Sequence, residues 1–305
     1  MRVITDEQPR SAVLVIGESL IDVIRGDAHE VRTPGGSPMN VACGLGLLGV
    51  PTRLLTHIAH DDDGDAILRR LREANVAVVD GSCGAVVTGT AVATLDSQGV
   101  PSYSFDLDWQ VNGLSGLRIP QWVHTGSIAT FLSPGADVLE RFLGSVRGDQ
   151  FISYDPNIRP LLLPSVERAL QLFIRFARLS DVVKLSVEDA AWLYPHLDAD
   201  RVIDEILSLG PRLVVVTHGP GGAVLSTRGS RVAVPSPRVR VVDTVGAGDS
   251  FMAALLCQLV AHASLELSDE ELTTIGTIAC LAAAITCTRS GSQPPTLEEL
   301  VVESH

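Results

Sequence analysis

Six short apolar runs rich in β-branched residues recur along this chain: Ala12 to Ile16, Leu54 to Ala59, Trp122 to Thr125, Phe151 to Tyr154, Val182 to Leu185 and Leu213 to Thr217. They are continuous rather than alternating, which is the pattern of strands buried on both faces. Between them the spacing of apolar positions predicts helices at about 38–49, 64–74, 134–147, 164–179, 186–194, 200–209, 248–262 and 269–287. Strand and helix alternate, so the expected fold is α/β, a mostly parallel sheet with helices on both faces. Two stretches break the rhythm. Ile21, Val23 and Ile24 precede an Arg25-Gly26-Asp27 turn, and Val86 to Leu95 runs through Ser97-Gln98-Gly99 into Tyr103-Ser104-Phe105 as a hairpin. Together they predict a small β-sheet lid at 20–34 and 86–108 on a main domain made of 11–19, 35–85 and 109–303, with 1–10 flexible.

Composition narrows the chemistry. The chain has 36 acidic against 23 basic residues and a net charge of −13, so it lacks the basic stripe that a nucleic-acid backbone requires. Lys184 is its one lysine and has no glycine run before it, which excludes a P-loop. Ile16-Gly17-Glu18 after the first strand lacks the dinucleotide-binding fingerprint. Cys43, Cys83, Cys257, Cys280 and Cys287 form an odd set without a C-x-x-C pair, as in a reducing cytoplasm. The N-terminus has no apolar signal core and no stretch is uninterruptedly apolar over about 18 residues, so neither export nor a membrane partner is expected.

The most informative segment is Asp243-Thr244-Val245-Gly246-Ala247-Gly248-Asp249, expected to follow a strand at Arg238 to Val242 and to open an apolar, buried helix. A glycine turn at a helix N-terminus offers the free amides of Gly246, Ala247 and Gly248, with the helix dipole behind them, to an anion. Asp249 in that pattern alone is an ordinary first-turn carboxylate. Its neighbour Asp243 shifts the weight, because two carboxylates flanking an anion cradle suit a base and a cation site.

That segment resembles the D-T-x-G-A-G-D signature of the ribokinase-like (PfkB-type) sugar kinases. Other blocks agree in order. Gly35-Gly36-Ser37-Pro38-Met39-Asn40-Val41-Ala42 is similar to the family's substrate loop, and Val13 to Asp22 to its first strand and following Asp. Asp155-Pro156-Asn157-Ile158-Arg159 is similar to the D-P-N-x-R block of the fructokinase branch, and Val216 to Ala223 to a nucleotide loop. The tail from Cys287 to Thr296 matches as well.

The resemblance implies a ribokinase-like three-layer α/β/α fold and an ATP-dependent kinase acting on a primary hydroxyl of a ketohexose, fructose to fructose 6-phosphate. Ribose, 2-keto-3-deoxygluconate, nucleosides, or a catalytically silent relative stay as alternatives. It implies Asp249 as base and Gly246, Ala247 and Gly248 as anion hole. Asp22, Gly35, Gly36, Asn40, Asn157 and Arg159 would bind the sugar, and Lys184, Ser186, Thr217, Gly219, Gly222 and Gly248 the nucleotide. It further implies Mg²⁺ organised by Glu188 or Asp189 and K⁺ near Asp243, Val245 and Gly291; separately, the exposed edge of the lid with Ile24, Tyr103 and Phe105 offers a homodimer interface as the alternative to closure over the sugar. The chain departs from the family at Ser186 and Asp189, where an Asn and a Glu are usual, and at Cys280, where an Asn often faces the adenine. Ser186 and Asp189 equally read as an ordinary helix cap.

Two patterns have plainer explanations. His57 and His60 ahead of Asp61, Asp62 and Asp63 lack a third ligand at a zinc-like spacing, and the acidic turn caps the next helix. Gly44-Leu45-Gly46-Leu47-Leu48-Gly49 sits inside a helical pattern, where close packing explains its glycines better than a dinucleotide does.

Overall fold

A computed structural model describes residues 12–25, 30–95, 101–262 and 264–303. Residues 1–10 and the Gly26-Asp27 and Ser97-Gln98-Gly99 turns lie outside them. The large sheet runs in the order β13 (Arg231–Val234), β12 (Ala223–Ser226), β11 (Leu213–Thr217), β10 (Val182–Ser186), β9 (Phe151–Asp155), β8 (Trp122–Gly126), β1 (Val13–Ile16), β4 (Thr52–Leu55) and β5 (Ala77–Val78). All pairings from β11 to β5 are parallel, and the β12 and β13 edge is antiparallel.

The period of two along a strand divides β1 between two cores. Val13 and Val15 pack with α1 (Ser37–Leu47) and α2 (Asp62–Glu73), whereas Leu14 and Ile16 face α3 (Gly135–Val146), α4 (Val166–Leu179), α5 (Val187–Leu193) and α6 (Ala199–Leu209). Helices α7 (Ala247–His262), α8 (Asp269–Cys287) and α9 (Leu297–Glu303) complete the first layer. By length and composition α8 could cross a membrane, but here it packs on α7 and on β12 and β13. The α1 and α7 helices approach closely because α1 is small-residue-rich: a Cβ on Gly44 would lie 2.6 Å from Ala253 Cβ. Gly46 of the same pattern serves a different approach, since its Cβ would lie 2.0 Å from Ala74 O at the end of α2.

The small sheet has the order β3 (Glu30–Gly35), β2 (Leu20–Arg25), β6 (Thr90–Leu95) and β7 (Pro101–Asp106). Ile21 and Val23 of β2 bury one face, while Asp22 and Ile24 point away.

Two expected strands differ from the structure. The run from Leu54 leaves the sheet at Leu55, since Thr56 turns to hydrogen-bond Ser82 and Ser19 and the Ala59 amide donates to Thr88 Oγ1. Arg238 to Val242 has no ladder partner among the described residues, and Val239, Val241 and Val242 are exposed, so this β-branched stretch is irregular; the strand before the glycine turn is β13. The β12 and β13 hairpin was not expected from the sequence pattern.

Candidate active site

Parallel strands end together at one edge, where open α/β sheets place ligands. Asp155 closes β9, Ser186 closes β10 and Thr217 closes β11, with Ser186 in register with Thr217. The N-terminus of α7 meets this edge. Gly246 adopts φ +77° there, and a Cβ on it would lie 2.1 Å from Ser292 Oγ, so only glycine fits the turn. The Ala247 amide, expected to be free, donates to Thr244 O at 3.2 Å because the preceding residues already form a turn. The amides that lack a backbone acceptor among the described residues, and so offer a cradle that suits an anion, are those of Gly246, Gly248 and Asp249.

Asp249 is 8 % exposed. Ser37 Oγ donates to its Oδ1 at 2.7 Å and Asn40 Nδ2 to its Oδ2 at 2.8 Å, so α1 fixes the carboxylate of α7. Sequence reasoning passed over Ser37. It also missed Arg70, which donates through Nη1 to Pro34 O at 3.1 Å and through Nη2 to the Ser292 carbonyl, with Asn40 Oδ1 at 3.4 Å. Arg70 lies on α2, and nothing local distinguishes it from Arg69.

The expected sugar residues converge on the same cleft. Asp22 keeps one side open to solvent, while the protein around its carboxylate pushes its pKa up to about 6; Arg159 and Arg70 oppose this and Asp249 adds to it. A Cβ on Gly35 would lie 2.0 Å from Asp22 Oδ2, and one on Gly36, at φ +104°, 2.6 Å from Glu18 O. Arg159 is drawn toward Asn157 by a 2.8 Å bond from Nη1 to Asn157 Oδ1, and both line a cavity of about 180 Å³ with Phe105, Ile128 and Phe131.

Lys184 Nζ donates to Asp155 Oδ2 at 2.7 Å; the two residues are 4 % and 1 % exposed. Burial alone would lower the Lys184 pKa, but the facing carboxylates of Asp155, Asp249 and Asp189 outweigh it and hold the ammonium charged. A Cβ on Gly248 would lie 3.2 Å from Lys184 Nζ, so this charge stands directly beside the cradle. Ser186 and Asp189 form the capping box of α5: Asp189 Oδ2 accepts from Ser186 N at 3.1 Å and Oδ1 from Ile158 N at 3.0 Å. Glu188, next to it, is exposed and has no partner among the described residues. Thr217 leads into the tight turn at Gly219 (φ +52°) and Gly222 (φ +92°).

Asp243, Val245 and Gly291 also meet. Asp243 accepts from Gly291 N at 2.8 Å and Val245 N at 3.1 Å, and these amides hold its pKa below the usual carboxylate value. Among the described residues no three or more His, Cys, Asp and Glu side chains converge as a metal site. His57 is buried with Nε2 3.5 Å from Asp108, and Asp61 caps α2 through Gly64 N, as the acidic turn predicts.

Comparison with known proteins gives a consistent picture. The signature of the pfkB family carbohydrate kinases matches residues 10–299. A fructokinase of Rhizobium leguminosarum bv. trifolii is 34 % identical over 260 residues, covering 81 % of this chain and 79 % of its own. The crystal structure of a fructokinase with bound ATP from Xylella fastidiosa superposes with a TM-score of 0.82 at 25 % identity, covering 96 % of this chain and 99 % of that one. A fructokinase from Vibrio cholerae O395, in a fructose, ADP and calcium ion bound form, gives 0.80 at 25 % identity over 96 % and 98 %.

Proposed function

The chain belongs to the pfkB family of carbohydrate kinases, and from that premise we propose that it transfers the γ-phosphoryl group of ATP to a primary hydroxyl of fructose, giving fructose 6-phosphate. The observation that carries this reading is the arrangement at the start of α7. There a carboxylate oriented by Ser37 and Asn40 stands in the same helical turn as free amides, with a buried ammonium beside them.

The chemistry follows from that geometry. Asp249 takes the proton of the acceptor hydroxyl as the oxygen attacks. The amides of Gly246 and Gly248 and the Lys184 ammonium stabilise charge on the transferring phosphoryl oxygens. A strong base is not needed, since phosphoryl transfer depends mainly on position and charge stabilisation. Asp22, Gly35, Gly36, Asn40, Asn157 and Arg159 hold the sugar; Ser186, Thr217, Gly219 and Gly222 receive the nucleotide. Mg²⁺ commonly binds through one or two carboxylates plus substrate phosphates, and the unpartnered Glu188 fits that requirement better than Asp189, whose oxygens both take backbone amides. Bound there, the ion would neutralise phosphate charge. The oxygen-rich turn around Asp243, Val245 and Gly291 is the proposed K⁺ site. The small sheet acts as a lid over the sugar, and its exposed Ile24, Val31 and Tyr103 suit a second copy of the chain. Five free cysteines suit a reducing cytoplasm.

A panel of acceptors with ATP tests the assignment. Fructose is expected to give a higher kcat/KM than ribose, 2-keto-3-deoxygluconate or adenosine. A preference for one of those would reassign the substrate, and no turnover with any would make the chain a silent binder. Two variants probe the site. Asp22→Asn is expected to lower kcat/KM for fructose about 10- to 100-fold through KM, the scale of one hydrogen bond to a charged group; an unchanged KM would remove Asp22 from the sugar site. Gly248→Ala has open space apart from Lys184, so it should fold normally and lose about 10²-fold in kcat by intruding on the cradle. Activity within twofold of wild type would place the phosphoryl group elsewhere.

A further inference from the structure

We infer that Glu18 is a positioning residue for the acceptor sugar, a buried carboxyl group that ties the bend leading to Asp22 to the turn at Ser127–Thr130, and thereby sets the spacing between Asp22 and the cleft wall facing Arg159. The inference rests on the proposal that Asp22 and Arg159 bind the acceptor.

Glu18 lies between β1 and β2 and is 5 % exposed. Its Oε2 accepts from the Ala129 amide at 3.0 Å, across 111 residues of sequence. Its other oxygen, Oε1, is buried with no hydrogen-bond partner among the described residues. The turn it holds carries Ile128, which shares a cavity wall with Phe131, Asn157 and Arg159. Ser127 in that turn has φ +53°, a conformation costly for a non-glycine residue and retained only where neighbours enforce it. The Glu18 backbone is a further contact, because its carbonyl lies where a Cβ on Gly36 would be. Three loops of the sugar cleft therefore meet at one residue, its side chain on the Ser127–Thr130 turn and its backbone on Gly36, that the phosphoryl-transfer chemistry does not use.

A carboxylate with one unpartnered oxygen is an expensive choice for a mere strut, and its charge state responds to the surroundings. Burial pushes its pKa up to about 7, against the pull of its own amide, the Ser127 hydroxyl, the Ala129 amide and the Arg159 guanidinium, the charged group that faces it. The ionised form accepts more strongly from Ala129 and attracts the Ser127 hydroxyl and Arg159. Protonation loosens all three, so acceptor affinity should fall as pH drops through 7, without a matching change in the Asp249 chemistry.

The test is to measure KM for fructose, KM for ATP and kcat between pH 5.5 and 8.5 for wild type, Glu18→Gln and Ser127→Ala. In the wild type KM for fructose is expected to rise about tenfold from pH 8 to pH 6. In Glu18→Gln it should be about tenfold higher than wild type at pH 8 and vary no more than about twofold down to pH 6, the residue of Asp22 titration, with kcat and KM for ATP within about threefold of wild type. Ser127→Ala removes a hydroxyl that favours the ionised carboxylate and should move the wild-type bend to higher pH. A Glu18→Gln profile that keeps the bend, or a loss spread equally over kcat and both KM values, would overturn the inference. A sugar-free arm separates it from the choice of substrate. The amide resonances of Asp22 and Ala129 should titrate together near pH 7 in the wild type and stay flat in Glu18→Gln. Coupled resonances in an enzyme inactive on fructose refute only the fructose assignment; uncoupled ones refute the role of Glu18 whatever the acceptor.

Discussion

Asp249→Asn is expected to lower kcat by about 10² to 10⁴ while leaving the affinities for ATP and fructose within a few-fold of wild type. Asparagine keeps the shape of the side chain and can still accept from Ser37 or Asn40, the two donors at 2.7 and 2.8 Å that orient it. What it cannot do is take the hydroxyl proton. Loss confined to kcat is the signature of a group acting in the transition state. A variant retaining more than a tenth of wild-type kcat would remove Asp249 from the base role. Ser37→Ala should have a smaller effect in the same direction, because it frees one carboxylate oxygen without deleting it.

The second large effect is on stability. Lys184→Met leaves the Asp155 carboxylate, 1 % exposed, without its partner, and Asp155 Oδ1 already has none. Breaking a buried pair by removing one member costs about 3–5 kcal/mol. The pH dependence gives the mechanism away. Burial already raises the Asp155 pKa to about 6 even with Lys184 opposing it, and removal of the ammonium raises it further. An acid whose folded pKa exceeds its unfolded value loses stability as pH rises through the folded pKa, so the deficit of Lys184→Met should be largest near pH 8 and shrink toward pH 5. Urea denaturation across that range checks it. A deficit below about 1 kcal/mol, or one independent of pH, would mean that the pair is not the buried ion pair described.

Much of this was legible because its signals are local. The six continuous apolar runs mark the parallel sheet, since strands buried on both faces have no polar period to obscure them. The glycine turn before α7 was legible because a helix N-terminus and its amides are fixed by a few consecutive residues. Judging which amides stay free required the fold: Ala247 is spent on Thr244, a bond that depends on how Asp243 and Val245 turn.

Residues that act across the chain were illegible for the same reason. Ser37 and Asp249 are 212 positions apart, and Glu18 and Ala129 are 111 apart. Neither pairing has a periodicity to betray it. Arg238 to Val242 misled in the opposite direction. Its β-branched residues have strand propensity, but propensity in a strand reflects packing against neighbours, and here Val241 and Val242 face solvent without a ladder. Nothing local separates Glu188 from Asp189 in the sequence, whereas the fold gives Asp189 the cap of α5 and the Ile158 amide, 31 positions away.

The central claim is that one carboxylate and one amide cradle at the start of α7 direct the γ-phosphoryl group of ATP to the C6 hydroxyl of fructose. Incubation with ATP and uniformly ¹³C-labelled fructose, followed by ³¹P and ¹³C spectroscopy of the product, tests it directly. The expected result is fructose 6-phosphate formed in step with ADP, with phosphorus coupling at C6 and C5 and none at C1, and no product from the Asp249→Asn enzyme on the same timescale. Phosphate on another hydroxyl of fructose, ADP formed without any sugar phosphate, or equal product from the Asp249→Asn enzyme would contradict it.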